Sequence, residues 1–110
     1  MATETRKVLG QVAPSATTDT DLLTVPGSTE YVVSTIMVCN RGSTDATFRV
    51  AVAVAGAASD PIQFICYDET IGANRPYPIT LGIALAATDK IRVYASTGNL
   101  TFQAFGVSIA

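Results

Sequence analysis

The residues best suited to chemistry in this chain are acidic. Asp68 and Glu69 are adjacent, Asp60 precedes them, and Asp19 and Asp21 are separated by one threonine. Two carboxylates can flank a glycosidic bond as acid and base, or share a calcium ion. Neighbours on an extended chain point to opposite sides, so Asp68 and Glu69 diverge, and no DxDxDG-type ladder of ligands follows them. They read as a solvated strand end. Asp19 and Asp21 share a direction if extended, which would make a weak cation site, but they too read as solvated. Histidine is absent, and with it the commonest general base and metal ligand. The plentiful serines and threonines therefore lack the partner of a Ser–His nucleophile. A Ser–Lys dyad would have to recruit Lys7 or Lys90, and neither lies in a recognisable motif.

Other chemistry is equally thin. Neither GxxxxGK[ST] nor GxGxxG occurs, so no loop is built to cradle phosphate. Cys39 and Cys66 lack CxxC spacing and have apolar neighbours, which predicts two buried free thiols rather than a disulfide. Tyr31, Tyr67, Tyr77 and Tyr94 could stack sugar rings, but with 7% aromatic residues and no tryptophan strand packing is the simpler use. Asn99-Leu100-Thr101 matches a glycosylation sequon and reads as chance in a chain with no export signal. The expectation is a protein that is not an enzyme and uses no metal or cofactor.

The elements that position these residues are strands. The clearest is Phe48-Arg49-Val50-Ala51-Val52-Ala53-Val54, a strict two-residue alternation. Phe48, Val50, Val52 and Val54 form one apolar stripe, and Arg49, Ala51 and Ala53 line the other face. Further strands are predicted at Lys7–Val12, Asp21–Val25, Glu30–Asn40, Ile62–Tyr67, Ile79–Leu85, Lys90–Ser96 and Leu100–Ile109, separated by Gly, Pro, Asn and Asp turn chemistry. Glu30–Asn40 is apolar on both parities, which places it centrally or at a contact. Arg41–Asp45 and Thr97–Asn99 read as hairpin loops, Gly82 as a bulge, and the prolines in 72–78 as excluding a central strand there. Ser43–Ala51 and Ala87–Ala95 echo one another, each a Thr-Asp turn leading into apolar-Arg-Val, and the simpler account is one turn solution used twice.

The whole predicts an all-β fold: a single antiparallel β-sandwich of about eight strands, jelly-roll-like or another Greek key. At 110 residues it forms one domain, 1–110, with residues 1–6 as an N-terminal arm. The chain is 48% hydrophobic but only 15% charged, below the roughly 25% of an ordinary soluble domain, so uncharged surface faces outward. A net charge of −2 gives no electrostatic footprint for nucleic acid. The first ten residues are too polar for a signal-peptide core, and no apolar run approaches a membrane span. The chain is expected to be made in a cytoplasm and to stay soluble, with no membrane partner.

The surface then carries the functional reading. Phe102 and Phe105 fall on opposite parities of the last strand; a bulge near Gly106 would reconcile them, and otherwise one face needs cover. The candidate subunit contacts are Ala51 and Ala53 on one strand and Phe105, Val107 and Ile109 on another. Val38-Cys39-Asn40-Arg41, Ala46–Val52 and Leu81–Asp89 resemble a family of short virion structural proteins of tailed bacteriophages and prophages. Val8–Gln11, Leu22–Pro26 and Lys90–Ser96 extend the resemblance over nearly the whole chain. It implies a virion component made in the host bacterial cytoplasm, and it carries over no functional residue. The first reading is a capsid decoration or cement protein, a homo-oligomer with a trimer favoured, bound to the major capsid protein. The absence of a coiled coil, collagen-like repeat or long linker favours it over a tail, baseplate or fibre-associated module. A small glycan-binding, lectin-like module is the alternative of another class, and it would need exposed tyrosines clustered in one groove.

Overall fold

A computed structural model describes residues 3–110. Eight strands follow in order: β1 (Glu4–Val12), β2 (Thr20–Thr24), β3 (Glu30–Asn40), β4 (Ala46–Ala53), β5 (Phe64–Ile71), β6 (Pro76–Leu85), β7 (Lys90–Ala95) and β8 (Leu100–Ile109). They form two four-stranded sheets, β1-β8-β3-β6 and β2-β7-β4-β5, antiparallel throughout. The pairing has a simple logic. First pairs with last, second with seventh, third with sixth and fourth with fifth, as in one long hairpin whose tip is β4–β5. Wrapping that hairpin sends alternate pairs to opposite sheets, and the β3–β8 and β4–β7 pairings knit each sheet together. This is the jelly roll.

Two expected hairpins are crossovers. Arg41–Asp45 joins β3 to β4, and Thr97–Asn99 joins β7 to β8, but each pair of strands lies in different sheets. Turn chemistry reverses a chain without specifying which sheet receives it. The ladder also ends one residue early: Val54 opens a 3-10 turn, Val54–Gly56, and is 68% exposed. Pro76 and Pro78 do lie in a strand, because β6 pairs only with β3 and its outer edge needs no N–H donor. Residues 4–6 are no arm; they pair with β8 from Glu4 onward, and Thr3 and Ala110 exchange backbone hydrogen bonds. Residues 1 and 2 lie outside the described residues.

The core forms between the sheets. Phe48 of β4 and Phe102 of β8, both fully buried, meet edge to face with centroids 6.1 Å apart, and Tyr77 of β6 packs on Phe48 at 5.2 Å. Each such buried aromatic removes a large apolar area from water and adds a preferred ring geometry. β3 serves the core from both parities because it is bulged at Ser34: Tyr31 and Val33 point inward before it, Ile36 and Val38 after it. Opposite that bulge β6 carries its own irregularity at Leu81-Gly82, as Gly82 suggested. β8 itself carries no extra residue, and its neighbours β1 and β3 do. Gly106 is glycine for a separate reason. A side chain there would run into the Val32 carbonyl.

The two buried polar side chains, Asn40 and Asp89, each tie loops together. Asn40 Nδ2 donates to the carbonyls of Thr44 (2.9 Å) and Gly72 (3.3 Å), and its Oδ1 accepts from the Gly42 N–H (2.9 Å). Asp89 accepts from the N–H groups of Ala55 (2.8 Å) and Ala86 (2.9 Å). The Thr-Asp echo therefore hides two roles, since Asp45 stays exposed and accepts only from the Ala73 N–H at 3.2 Å. Removing a buried side chain of this kind strands several partners without water. Asn40→Ala should cost about 3 kcal/mol in urea unfolding, against no more than about 1 kcal/mol for Asp45→Ala. Equal costs would mean that Asn40 is not the hub of its loops.

Candidate functional site

The outward faces of the two sheets differ in kind. On β2-β7-β4-β5 most of the charged side chains are internally paired. Asp21 on β2 bonds Lys90 at 3.0 Å and faces Arg92 at 3.4 Å. Arg92 donates in turn to the carbonyls of Ala57 (2.6 Å) and Gly56 (3.2 Å), tying the loop after β4 against the sheet. Arg49 sits between two tyrosine rings, its guanidinium carbon 4.3 Å from the centroid of Tyr67 and 4.3 Å from that of Tyr94. Tyr94 is its cross-strand partner on β7.

Tyr67 reaches Arg49 through a defect in β5. Phe48 pairs with Glu69 and Val50 with Cys66, so Arg49 faces both Tyr67 and Asp68. Asp68 adopts a left-handed backbone, φ 52°, a conformation that aspartate tolerates better than most residues. The bulge brings its carboxylate to Arg49 Nε at 2.7 Å. That hydrogen bond raises the Arg49 pKa further, against a smaller opposing effect of burial. Glu69 goes elsewhere and accepts from the Tyr77 hydroxyl at 2.9 Å. Asp68 and Glu69 thus diverge as their adjacency requires, but each has a partner and neither is merely a solvated strand end.

The β1-β8-β3-β6 sheet turns an apolar face outward. Phe105, Val107 and Ile109 lie on one side of β8, each half-buried. Val8 of β1 lies beside Phe105, and Val32 of β3 beside Val107. Val8 is 48% and Val32 38% exposed, and Leu81 at the β6 irregularity is 45% exposed. Arg6 flanks Val107, and Glu4 and Glu30 flank Ile109, giving the rim both signs of charge.

Of the contacts expected from sequence, Phe105, Val107 and Ile109 therefore share an outward surface. Ala51 and Ala53 do not. They are 5% and 0% exposed, because the chain covers that face itself with the loop that Arg92 holds down; two small side chains are what lets the loop lie close. Sequence reasoning missed Val8, Val32 and Leu81, whose positions depend on register, and the Arg49 cluster, which depends on the β5 bulge. Alternation did place Arg49 on the face opposite the apolar stripe, which was the available signal.

Cys39 and Cys66 are free and only partly buried. Burial, reinforced by nearby Glu69, pushes the Cys66 thiol up from its ordinary value, so less of it is reactive thiolate at neutral pH. Among the described residues no three metal-ligating acidic or thiol groups converge, and no helix is long and apolar enough to cross a membrane.

No protein-family model matches the chain, and no curated protein matches its sequence. Among solved structures it is similar to a chain in the structure of infectious bursal disease virus Gx strain, with 7% identity and a TM-score of 0.48. The match covers 99% of this chain but 32% of that one, so the chain spans about a third of the length of its viral neighbour. A likeness this distant carries no functional inference.

The Tyr77–Glu69 contact generates a pH test. The hydrogen bond to Glu69, then burial, then the Glu69 charge raise the Tyr77 pKa. A group whose pKa is raised on folding stabilises the fold below its unfolded value, and that contribution is lost as pH rises through the folded one. The stability margin of the wild type over Tyr77→Phe should hold at neutral pH and shrink above about pH 10. Spectrophotometric titration should show a late phenolate step that Tyr77→Phe removes; the same titration curve in the variant, less one ordinary tyrosine, would contradict this.

Proposed function

We propose that the chain is a non-enzymatic structural subunit of a tailed-phage virion, a capsid decoration protein made in the host bacterial cytoplasm. It self-associates, with a trimer favoured, and binds the major capsid protein to reinforce the shell. The single observation that carries this reading is the row of outward apolar side chains on β1-β8-β3-β6, Val8, Phe105, Val107 and Val32. The segmental resemblance to small phage virion proteins supplies the setting.

The mechanism is burial. Covering Val8, Val32, Phe105 and Val107 across a subunit boundary removes apolar area from water at about 25 cal/mol per Å², before the cost of association. The contact is assigned to a second copy of this chain. The face carries Arg6 as well as Glu4 and Glu30, so neighbouring copies packed head-to-tail around a trimer axis can meet with opposite charges opposed. Tail, baseplate or fibre attachment would use the same face with a different partner.

Particles produced with Phe105→Asp or Val107→Asp should lack the protein and break at lower temperature than wild-type particles. Val8→Glu, at a position exposed enough to leave folding intact, should reduce incorporation in the same direction. Normal incorporation of all three variants, or particle stability indifferent to the protein, would overturn the proposal.

A further inference from the structure

The other sheet carries a groove that this structural role does not use. It is lined by Arg49, Ser59, Pro61, Phe64 and Tyr67 and has a volume of about 470 Å³, within the range of small-molecule sites, roughly 300–1,000 Å³. Tyr67 is 59% exposed, yet it is held. Arg49 packs on its ring at 4.3 Å, and Phe64 meets it edge to face with centroids 4.9 Å apart. An exposed aromatic fixed in this way is a preorganised platform and loses little entropy on binding.

Polar groups surround the platform with capacity to spare. Asp68 takes Arg49 Nε closely but Nη2 only at 3.4 Å. Arg49 Nη1 and the Ser59 hydroxyl make no hydrogen bond among the described residues. The groove thus pairs an aromatic surface with a guanidinium donor and a hydroxyl able to donate or accept. That is the complement of a pyranose, which presents an apolar C–H face and a ring of hydroxyls. Because Asp68 neutralises Arg49, the site has no net attraction for a carboxylated sugar or a phosphate. A purely apolar side chain would leave the free donors of the groove unpaired on burial.

We infer that this groove binds one neutral hexose ring, stacked on Tyr67 with its hydroxyls on Arg49 and Ser59. Its platform, Tyr67 of β5, is held by Arg49 of the neighbouring strand β4, which packs on Tyr94 of β7 as well. Single sites of this kind are weak. If the structural role above holds, a particle would display many of them and bind a sugar-coated surface through avidity.

The test uses the whole isotope-labelled chain, titrated with the methyl glycosides of glucose, galactose, mannose and N-acetylglucosamine, and separately with N-acetylneuraminic acid. At least one neutral glycoside should give saturable amide shifts at Ser59, Phe64 and Tyr67. Tyr67→Ala should weaken that response about tenfold, while Val8→Glu on the opposite sheet leaves it unchanged. No saturable shift with any neutral glycoside, a response confined to N-acetylneuraminic acid, or unaltered binding by Tyr67→Ala would overturn the inference. Loss of incorporation by Val8→Glu with sugar binding intact separates failure of this site from failure of the shell contact.

Discussion

The contact between Phe48 and Phe102 across the two sheets is the one on which the remaining architecture depends. Both rings are fully buried, 6.1 Å apart, and each belongs to a strand with a neighbour on either side. Fixing them inward fixes parity along both strands. With Phe48 inside, Arg49 must face out toward Tyr94 and Tyr67. With Phe102 inside and β8 unbulged, Phe105, Val107 and Ile109 must face out together. The apolar surface and the outward placement of Arg49 are thus two consequences of one packing decision.

Asn40 and Asp89 do for the loops what the phenylalanines do for the strands. Crossovers between sheets leave backbone groups with no ladder to join, and burying these groups unpaired would be costly. One buried side chain takes up the orphaned groups around β3–β4 and β5–β6, and the other those around β4–β5 and β6–β7. The loops so pinned free the sheet faces to differ. One carries the paired Arg49–Asp68 and Asp21–Lys90 charges, and the other an apolar row edged by Glu4, Arg6 and Glu30.

Much of this was legible in the sequence, and the illegible parts have identifiable causes. Strands Glu30–Asn40 and Leu100–Ile109 are visible at their observed limits because runs rich in β-branched and aromatic residues are bounded by turn chemistry. The beginning of β6 is hidden because Pro76 and Pro78 argue against a strand, and only its edge position, a tertiary fact, removes the objection. Sheet membership is hidden at Arg41–Asp45 and Thr97–Asn99 because a local turn looks the same in a hairpin and a crossover. The alternation of Ala51 and Ala53 with the apolar stripe suggests a free face, yet small side chains suit an internal loop contact as well as a foreign one. The Arg49 cluster was out of reach: it requires the left-handed Asp68 and the extra residue of β5, neither of which has a periodic signature.

A shell role is decided by where the protein resides and in what number. Quantitative mass spectrometry of purified virions, with the major capsid protein as internal standard, measures this directly. A shell-reinforcing subunit should be present at on the order of hundreds of copies per particle, in a fixed ratio to the capsid lattice. A count of about six or twelve, the size of a single tail or neck ring, or absence from the particle, would contradict it.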